Sequence, residues 1–244
     1  MTQPIDRFPA TRNWFHSVEQ GSDEWHDLRR GMVTASTIGA LITPKTKIVS
    51  KAQSGKTKLL EIAAERITQR SEEPFTSRDI ERGYFYEPIA RDEYAKHYGV
   101  EVEEIGFIVR RLKNDHLIGF SPDGKIKDAP RGIEIKSRKQ RIQVDTILAD
   151  AVPDDNIAQL QCGLFVTGWE SITYISYSTG MPLYTKTVYP DKRWQKVIPE
   201  ALEYAEEQIQ SFISDYETRA AGMPVTEYVE QVEDWELELG GLSL

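Results

Sequence analysis

Apolar and polar positions change period twice along the chain, from helical spacing to strand spacing and back. Ser22, followed by Asp23 and Glu24, predicts an N-capped helix through Trp25, Leu28 and Arg29 that stops near Gly31. A second helix is predicted from about Ser36 to Ile42, followed by a basic, mobile loop from Pro44 to Gly55. Helical spacing resumes over Leu59 to Ile67 and Ile80 to His97. The latter carries Tyr84, Ile89 and Tyr94 on one side and Pro88 as a kink or a new first turn.

The middle of the chain reads differently. Phe107-Ile108-Val109, Leu117-Ile118-Gly119-Phe120 and Ile133-Glu134-Ile135-Lys136 are short apolar or β-branched runs between turn residues, which predicts strands. Helix is expected again from Asn156 to Val166. Ile172 to Tyr177 and Leu183 to Val188, split by Ser178-Thr179-Gly180, predict a hairpin, and a long helix follows from about Trp194 to Arg219. With no internal repeat, helices, a mostly consecutive sheet and further helix predict an α/β sandwich rather than a doubly wound nucleotide fold.

Composition narrows this little. The 244 residues suffice for one compact domain, and 39% hydrophobic and 10% aromatic content fits a soluble globular protein. Pro4, Asp6 and Arg7 stand where a signal peptide needs an apolar segment, so a cytoplasmic protein is expected. The weakly polar stretch Gly31 to Ile42 is far too short to span a membrane. A single cysteine, Cys162, excludes an intrachain disulfide and a cysteine zinc cage.

Charge changes the picture more. The net charge of −9 argues at first against a nucleic-acid partner, whose phosphates need Lys and Arg. The distribution reverses that impression. Arg29 to Leu60 holds seven basic residues and no acid, and Arg131, Lys136, Arg138, Lys139 and Arg141 form a second basic cluster around Glu134. Met223 to Leu244 holds six acids and no base, so most of the negative charge belongs to a tail. A body of residues 1–222, with its core at about 14–220, and an acidic tail of residues 223–244 are therefore expected.

The candidate chemistry lies in Ser121-Pro122-Asp123-Gly124 and Gly132-Ile133-Glu134-Ile135-Lys136, with ten residues between Asp123 and Glu134. Residues two apart on a strand share a face, so Glu134 and Lys136 point one way while Ile133 and Ile135 point into the core. A hairpin would bring Asp123 beside Glu134. Two carboxylates, a strand carbonyl at Ile135 and a lysine are what phosphodiester cleavage with a hard divalent cation needs. Taken singly, Ser-Pro-Asp-Gly is also a common turn sequence, Glu-x-Lys is commonplace, and Asp123-Gly124-Lys125 is a second acid-x-lysine match.

The order of motifs carries more weight. Gln20-Gly21-Ser22-Asp23-Glu24-Trp25-His26-Asp27-Leu28-Arg29, Val33-Thr34-Ala35-Ser36, Gly83-Tyr84-Phe85-Tyr86-Glu87, Ser121-Pro122-Asp123-Gly124, Glu134-Ile135-Lys136 and Gln159-Leu160-Gln161 follow one another over about Gln20 to Trp169. In this the chain resembles lambda exonuclease and the YqaJ-type viral recombinases. The resemblance implies a single-domain PD-(D/E)xK nuclease fold, with a central mixed β-sheet flanked by helices. It implies a Mg²⁺-dependent 5′-to-3′ exonuclease on double-stranded DNA that releases 5′-mononucleotides and leaves 3′ overhangs for single-strand annealing. Two Mg²⁺ per site are implied, with Mn²⁺ as a substitute, together with a ring-shaped homotrimer and a single-strand annealing partner. By position, Asp123, Glu134 and the Ile135 carbonyl would hold metal, Glu87 would assist a second metal, and Lys136 would orient or deprotonate the attacking water. Gln159 would line the site, and Arg29, Ser36 and Ser121 would hold a 5′-phosphate. Alternatives are a PD-(D/E)xK endonuclease and a non-catalytic DNA-end-binding scaffold. A related helicase-nuclease pattern wants Tyr four residues after the Gln, where Gly163 stands.

Other features point to packing or to solvent. Ser50 to Thr57 approximates a phosphate-binding loop but lacks its first Gly and a preceding strand. His16, His26, His97 and His116 show no metal-ligand spacing. Trp14, Trp25 and Trp169 fit core or edge packing, and Gln159 on its own fits an amphipathic helix surface. Tyr228, Val229, Trp235 and Leu237, set among the tail acids, are candidates for docking on a partner or a neighbouring subunit.

Overall fold

A computed structural model describes residues 12–15, 18–71 and 78–229. The first half contains β1 (Arg12–Phe15), α1 (Asp23–Arg29), β2 (Val33–Thr34), α2 (Ala35–Leu41), β3 (Ile42–Thr43), β4 (Ile48–Val49), α3 (Gln53–Thr68) and α4 (Arg78–Tyr98). Then come β5 (Val102–Glu103), β6 (Phe107–Arg111), β7 (Leu117–Phe120), β8 (Gly124–Ile126), β9 (Arg131–Ser137), α5 (Gln140–Ala149), α6 (Asp154–Thr167), β10 (Ser171–Tyr177), β11 (Tyr184–Val188) and α7 (Lys192–Ala220).

The strands build two mixed sheets, ordered β1-β6-β7-β2 and β11-β10-β9-β8-β5. In the first, β2 runs parallel to β7. In the second, β10 runs parallel to β9 over its whole length while β8 pairs antiparallel with it, Gly124 opposite Ile133. The chain passes from one sheet to the other at Ser121-Pro122-Asp123, which forms an open corner rather than the reverse turn its composition allows. Gln20 pins that corner, donating from Nε2 to the carbonyls of Pro122 at 2.8 Å and Ile105 at 3.0 Å.

Helix α6 is the central helix of the core, with Ala158, Leu160, Cys162, Leu164 and Val166 buried among residues of α2, β6, β7 and β10. Gly163 lets it lie close to the first sheet: a Cβ there would stand 2.7 Å from Phe120 Cζ and 3.0 Å from Ile172 Cδ1. That contact gives a physical reason for a glycine where the helicase-nuclease pattern has tyrosine. Trp169 packs over Gly132, where a Cβ would come within 2.0 Å of its ring, and is a core residue as expected. Along α7, Trp194, Val197, Ile198, Ala201, Leu202, Ala205 and Ile209 recur at helical spacing and are all buried.

Four expectations change. The segment Pro44 to Gly55 holds the turn and second strand of a hairpin, β3 with β4, followed by the first turn of α3, so Gly55-Lys56-Thr57 lie in a helix and form no phosphate loop. Helix α4 runs on through Pro88, and the expected apolar side is buried only in part: Tyr94 is buried beside Ala90, while Tyr84 and Ile89 are exposed. Small Ala90 lets the helix approach β9, while Tyr84 and Phe85 are turned outward. The sequence pattern predicts neither helix α5 nor the strands β1, β2, β5 and β8. Gln159 is no surface residue, because α6 is buried along most of its length.

The chain divides after Ile213 into two compact units. The described part of the second holds the last turns of α7 and an exposed extended stretch in which Tyr228 and Val229 face solvent. Trp235 and Leu237, named with them in the acidic tail, lie outside the described residues, as does His16. Among the described residues no helix is long and apolar enough to cross a membrane.

Candidate active site

Strand β9 sets the site. Ile133 and Ile135 pack into an apolar cluster with Ala90, Tyr94, Ile126 and Ile175, which fixes the strand, and alternation turns Glu134 and Lys136 to the opposite face. Antiparallel pairing with β8 then places Asp123, the residue before that strand, opposite Glu134. Asp123 Oδ2 accepts the Ile135 N–H at 2.5 Å. The N–H and C=O of a strand residue leave on the same edge, so the Ile135 carbonyl opens on the Asp123 side as well.

Glu134 is 1% exposed. Its Oε1 accepts from Lys136 Nζ and from Gln159 Nε2, both at 2.6 Å, while its buried Oε2 has no hydrogen-bond partner. A buried carboxylate oxygen without a donor is costly, and a cation would satisfy it. Burial, reinforced by the charge of Asp123, pushes the Glu134 carboxyl up to about 8. Burial also pushes the Asp123 carboxyl up, against the opposing pull of Lys136, the Ile135 N–H and Arg91. Two neighbouring carboxylates out of water do not both ionise readily. Burial works against the Lys136 ammonium, yet Glu134 and Asp123 hold its pKa above the ordinary lysine value, so it stays charged.

Glu87 reaches the same region from α4, which packs on β9. Its Oε1 accepts from Arg91 Nη2 at 2.7 Å, and Arg91 also pairs with Glu104. Burial and the charge of Asp123 push the Glu87 carboxyl up to about 7. Among the described residues no three His, Cys, Asp or Glu side chains are grouped to hold a metal ion. The donors that do fit a hard cation are therefore Asp123, Glu134 Oε2 and the Ile135 carbonyl, with Glu87 tied to Arg91 one step further out.

A second constellation lies at the Ser121 corner. Ser121 Oγ accepts from Arg29 Nη1 at 3.1 Å and from Trp25 Nε1 at 3.0 Å, and the Arg29 guanidinium lies 4.2 Å over the Trp25 ring. Burial lowers the Arg29 pKa to about 10, which still leaves it charged at neutral pH. The helix carrying it is capped by Ser22, whose side chain accepts from the Trp25 N–H. It ends at Gly31 (φ +70°), whose N–H reaches Glu65 and whose carbonyl reaches Arg66; a Cβ there would come within 2.8 Å of Arg66. Ser36 is exposed in the first turn of α2, its Oγ 2.9 Å from Thr34 Oγ1, and the cap position belongs to Thr34. Parallel pairing of β2 with β7 brings the start of α2 to the end of the sheet where Ser121 lies.

The fold thus joins Glu134 directly to Lys136 and Gln159, Asp123 to the Ile135 N–H between them, and Arg29 directly to Ser121. It brings Glu87 alongside the first group and Ser36 to the same sheet end as the second. Arg91, which holds Glu87, carries no sequence motif; Gln20 opens the first motif, but its hold on the Ser121 corner shows only through partners far along the chain.

The model of the YqaJ-like viral recombinase domain matches residues 24–170. Among curated proteins none matches the sequence. An alkaline exonuclease from Laribacter hongkongensis superposes with a TM-score of 0.72 at 25% identity, over 83% of this chain and 100% of that one, and the same enzyme is known in complex with dAMP. A phage-related exonuclease from Haemophilus somnus 129PT shares the fold, with a TM-score of 0.56 at 14% identity over 75% and 96% of the two chains. The mixed α/β fold is therefore that of the alkaline exonucleases, and with the family model covering more than half of its length the chain belongs to the YqaJ-like viral recombinase family.

Proposed function

We propose that the chain is a metal-dependent exodeoxyribonuclease that degrades double-stranded DNA from 5′ ends, releases 5′-mononucleotides and leaves 3′ overhangs for single-strand annealing. The observation that carries this reading is the buried, partnerless Glu134 Oε2 beside Asp123, Lys136 and the Ile135 carbonyl. Likeness to an alkaline exonuclease over its whole length supports the reaction class.

Divalent metal, Mg²⁺ with Mn²⁺ as a substitute, would be held by Asp123, Glu134 and the Ile135 carbonyl and would supply Lewis-acid polarisation of the phosphate and a water of lowered pKa. Lys136, kept as an ammonium, acts as a donor that orients the attacking oxygen and offsets charge on the phosphate, a role for which a protonated lysine suits better than a general base. Gln159 fixes the Glu134 rotamer from α6. Glu87 is the candidate for a second metal, and its release from Arg91 would be part of loading. Arg29 and Ser121, with Ser36 at the same sheet end, form the pocket for a terminal 5′-phosphate, where a guanidinium gives charge-assisted bonds. Family membership and the DNA substrate make a ring-shaped homotrimer and a single-strand annealing partner part of the same proposal.

The test is digestion of linear duplexes carrying 5′-phosphate or 5′-hydroxyl ends beside closed circular DNA, with Mg²⁺ or chelator. The expected result is metal-dependent release of mononucleotides from 5′-phosphorylated ends and no nicking of circles. Arg29→Ala should lower kcat/KM on 5′-phosphate ends by about 10- to 100-fold, the weight of one or two charge-assisted contacts, and abolish the preference over 5′-hydroxyl ends. Activity in chelator, or cutting of closed circles, would overturn the proposal.

A further inference from the structure

A cavity of about 470 Å³ beside the C-terminal end of β9 is lined by residues including Arg82, Tyr86, Arg138, Lys139, Arg141 and Ser178. Four of these six are cationic. Gathering like charges around one opening costs free energy that a bound anion removes. Arg138 anchors the group: its N–H donates to Tyr177 O at 2.7 Å, and its Nη2 donates to Tyr174 Oη at 3.1 Å and to Asn156 Oδ1. Its buried Nε has no partner, so the guanidinium keeps donor capacity that the protein does not use. Lys139 and Arg141 are exposed at the start of α5, with Arg141 paired to Asp145 at 2.9 Å. Tyr86 stacks near Tyr177, ring centroids 5.7 Å apart, and forms an aromatic wall.

Position decides which anion fits. Ser137 and Arg138 directly follow Lys136 on β9, and the cavity opens on the β10 side, where Ser178 follows that strand. Arg29 and Ser121 lie on the other side, at the corner that leads into β8. The carboxylates and Lys136 therefore stand between two cationic positions, and one polyanion that reaches both must cross them. An isolated phosphate would fill one of the two, whereas a sugar-phosphate strand spans both and can lay a base or sugar against Tyr86.

We infer that this cavity binds the phosphodiester backbone of the strand being cut, holding phosphate on the side of the scissile bond away from Arg29. The inference rests on the nuclease reading for what lies between the two positions. In this arrangement Arg138, Lys139 and Arg141 are positioning residues, setting the register of the strand over the carboxylates without touching the reacting atoms.

The test is binding of a fluorescent linear duplex with 5′-phosphorylated ends to the full-length chain in chelator, across a salt series. Lys139→Ala/Arg141→Ala, two exposed positions whose loss leaves the core intact, should weaken binding about tenfold at moderate salt and reduce the slope of log K against log salt by about 2. Arg138→Ala should reduce the slope by about 1. Lys127→Ala, on the exposed turn between β8 and β9 at the far end of that strand, should leave both unchanged. Replacing the phosphates next to the scissile one with neutral methylphosphonates should weaken wild type by a similar factor and cost the double variant nothing more. Wild-type affinity and slope in the double variant, or equal sensitivity of both proteins to the neutral linkages, would overturn the inference. Binding is read without divalent ions, so a wild type that shows these differences yet hydrolyses no DNA with any divalent metal would overturn the nuclease reading instead.

Discussion

Two acid-x-lysine stretches lie on neighbouring strands, and the fold treats them differently. Lys125 of Asp123-Gly124-Lys125 turns to the sheet edge and pairs with Glu103 on β5 at 3.1 Å, with side chains 21% and 40% exposed. Lys136 of Glu134-Ile135-Lys136 pairs with its own Glu134 at 2.6 Å, with side chains 28% and 1% exposed. The acid of the edge pair is open to water, which screens the pair and leaves it worth little, whereas the acid of the inner pair is closed off. The inner pair lies on the α6 face of β9, where desolvation and the Asp123 charge push the Glu134 carboxyl up to about 8 and one oxygen is left without a donor. The same residue types become chemistry only where neighbouring elements strip water away and add Gln159, Asp123 and a strand carbonyl.

The comparison can be broken most severely at its two lysines. Lys136→Ala should lower kcat on linear duplex by about 10²- to 10³-fold, the usual cost of removing one donor from a developing oxyanion. Lys125→Ala should keep activity within about twofold and stability within about 0.5 kcal/mol, as for a screened surface charge. Equal effects in steady-state digestion would erase the distinction. Next in size, Gln159→Ala frees the Glu134 carboxylate from its α6 donor and should cost about 10-fold in activity and in divalent-metal affinity together; a loss of activity with unchanged metal affinity would place Gln159 on the substrate instead.

The smallest effect is on stability, and its sign is fixed. The folded chain keeps the Glu134 proton up to about pH 8, while the unfolded chain releases it near the ordinary glutamate value of 4.5. The native state thus binds more protons between these values, so the metal-free protein should lose stability as pH rises from about 4.5 to 8. Glu87 acts in the same direction up to about 7. Lys136, raised, contributes stability that is intact throughout this window and is lost only above the ordinary lysine range. Urea midpoints measured from pH 5 to 9 in chelator should fall for wild type and flatten for Glu134→Gln; parallel curves would show that Glu134 is not held neutral.

Much of this arrangement is legible in the sequence because it rests on period and order. Alternation in Ile133-Glu134-Ile135-Lys136 marks both the dry face and the chemical face of β9, and the hairpin of β10 and β11 follows from its Ser178-Thr179-Gly180 break. The Ser22 cap locates α1. What escapes is whatever depends on a partner far along the chain. Gln159 lies 25 positions from Glu134; only the order of motifs marks it as a site residue, because its own helix periodicity places it no differently from a surface residue. Arg91 is one of many arginines until Glu87 and Glu104 converge on it. The face of α4 is legible only in part: Tyr94 is buried as its spacing suggests, but Tyr84 and Ile89 outweigh a single alanine in any periodicity, although Ala90 is the residue that allows close approach to β9.

The central claim is that the Asp123 and Glu134 carboxylates hold a divalent cation. Calorimetric titration of Mn²⁺ or Mg²⁺ into the full-length chain at pH 7 tests it most directly, run in two buffers of different ionisation enthalpy. Binding should release protons, seen as buffer-dependent heat, because Glu134 and Glu87 retain theirs near neutrality, and Glu134→Gln should abolish it. Undiminished binding in Glu134→Gln, or no binding of any divalent ion by wild type, would contradict the account.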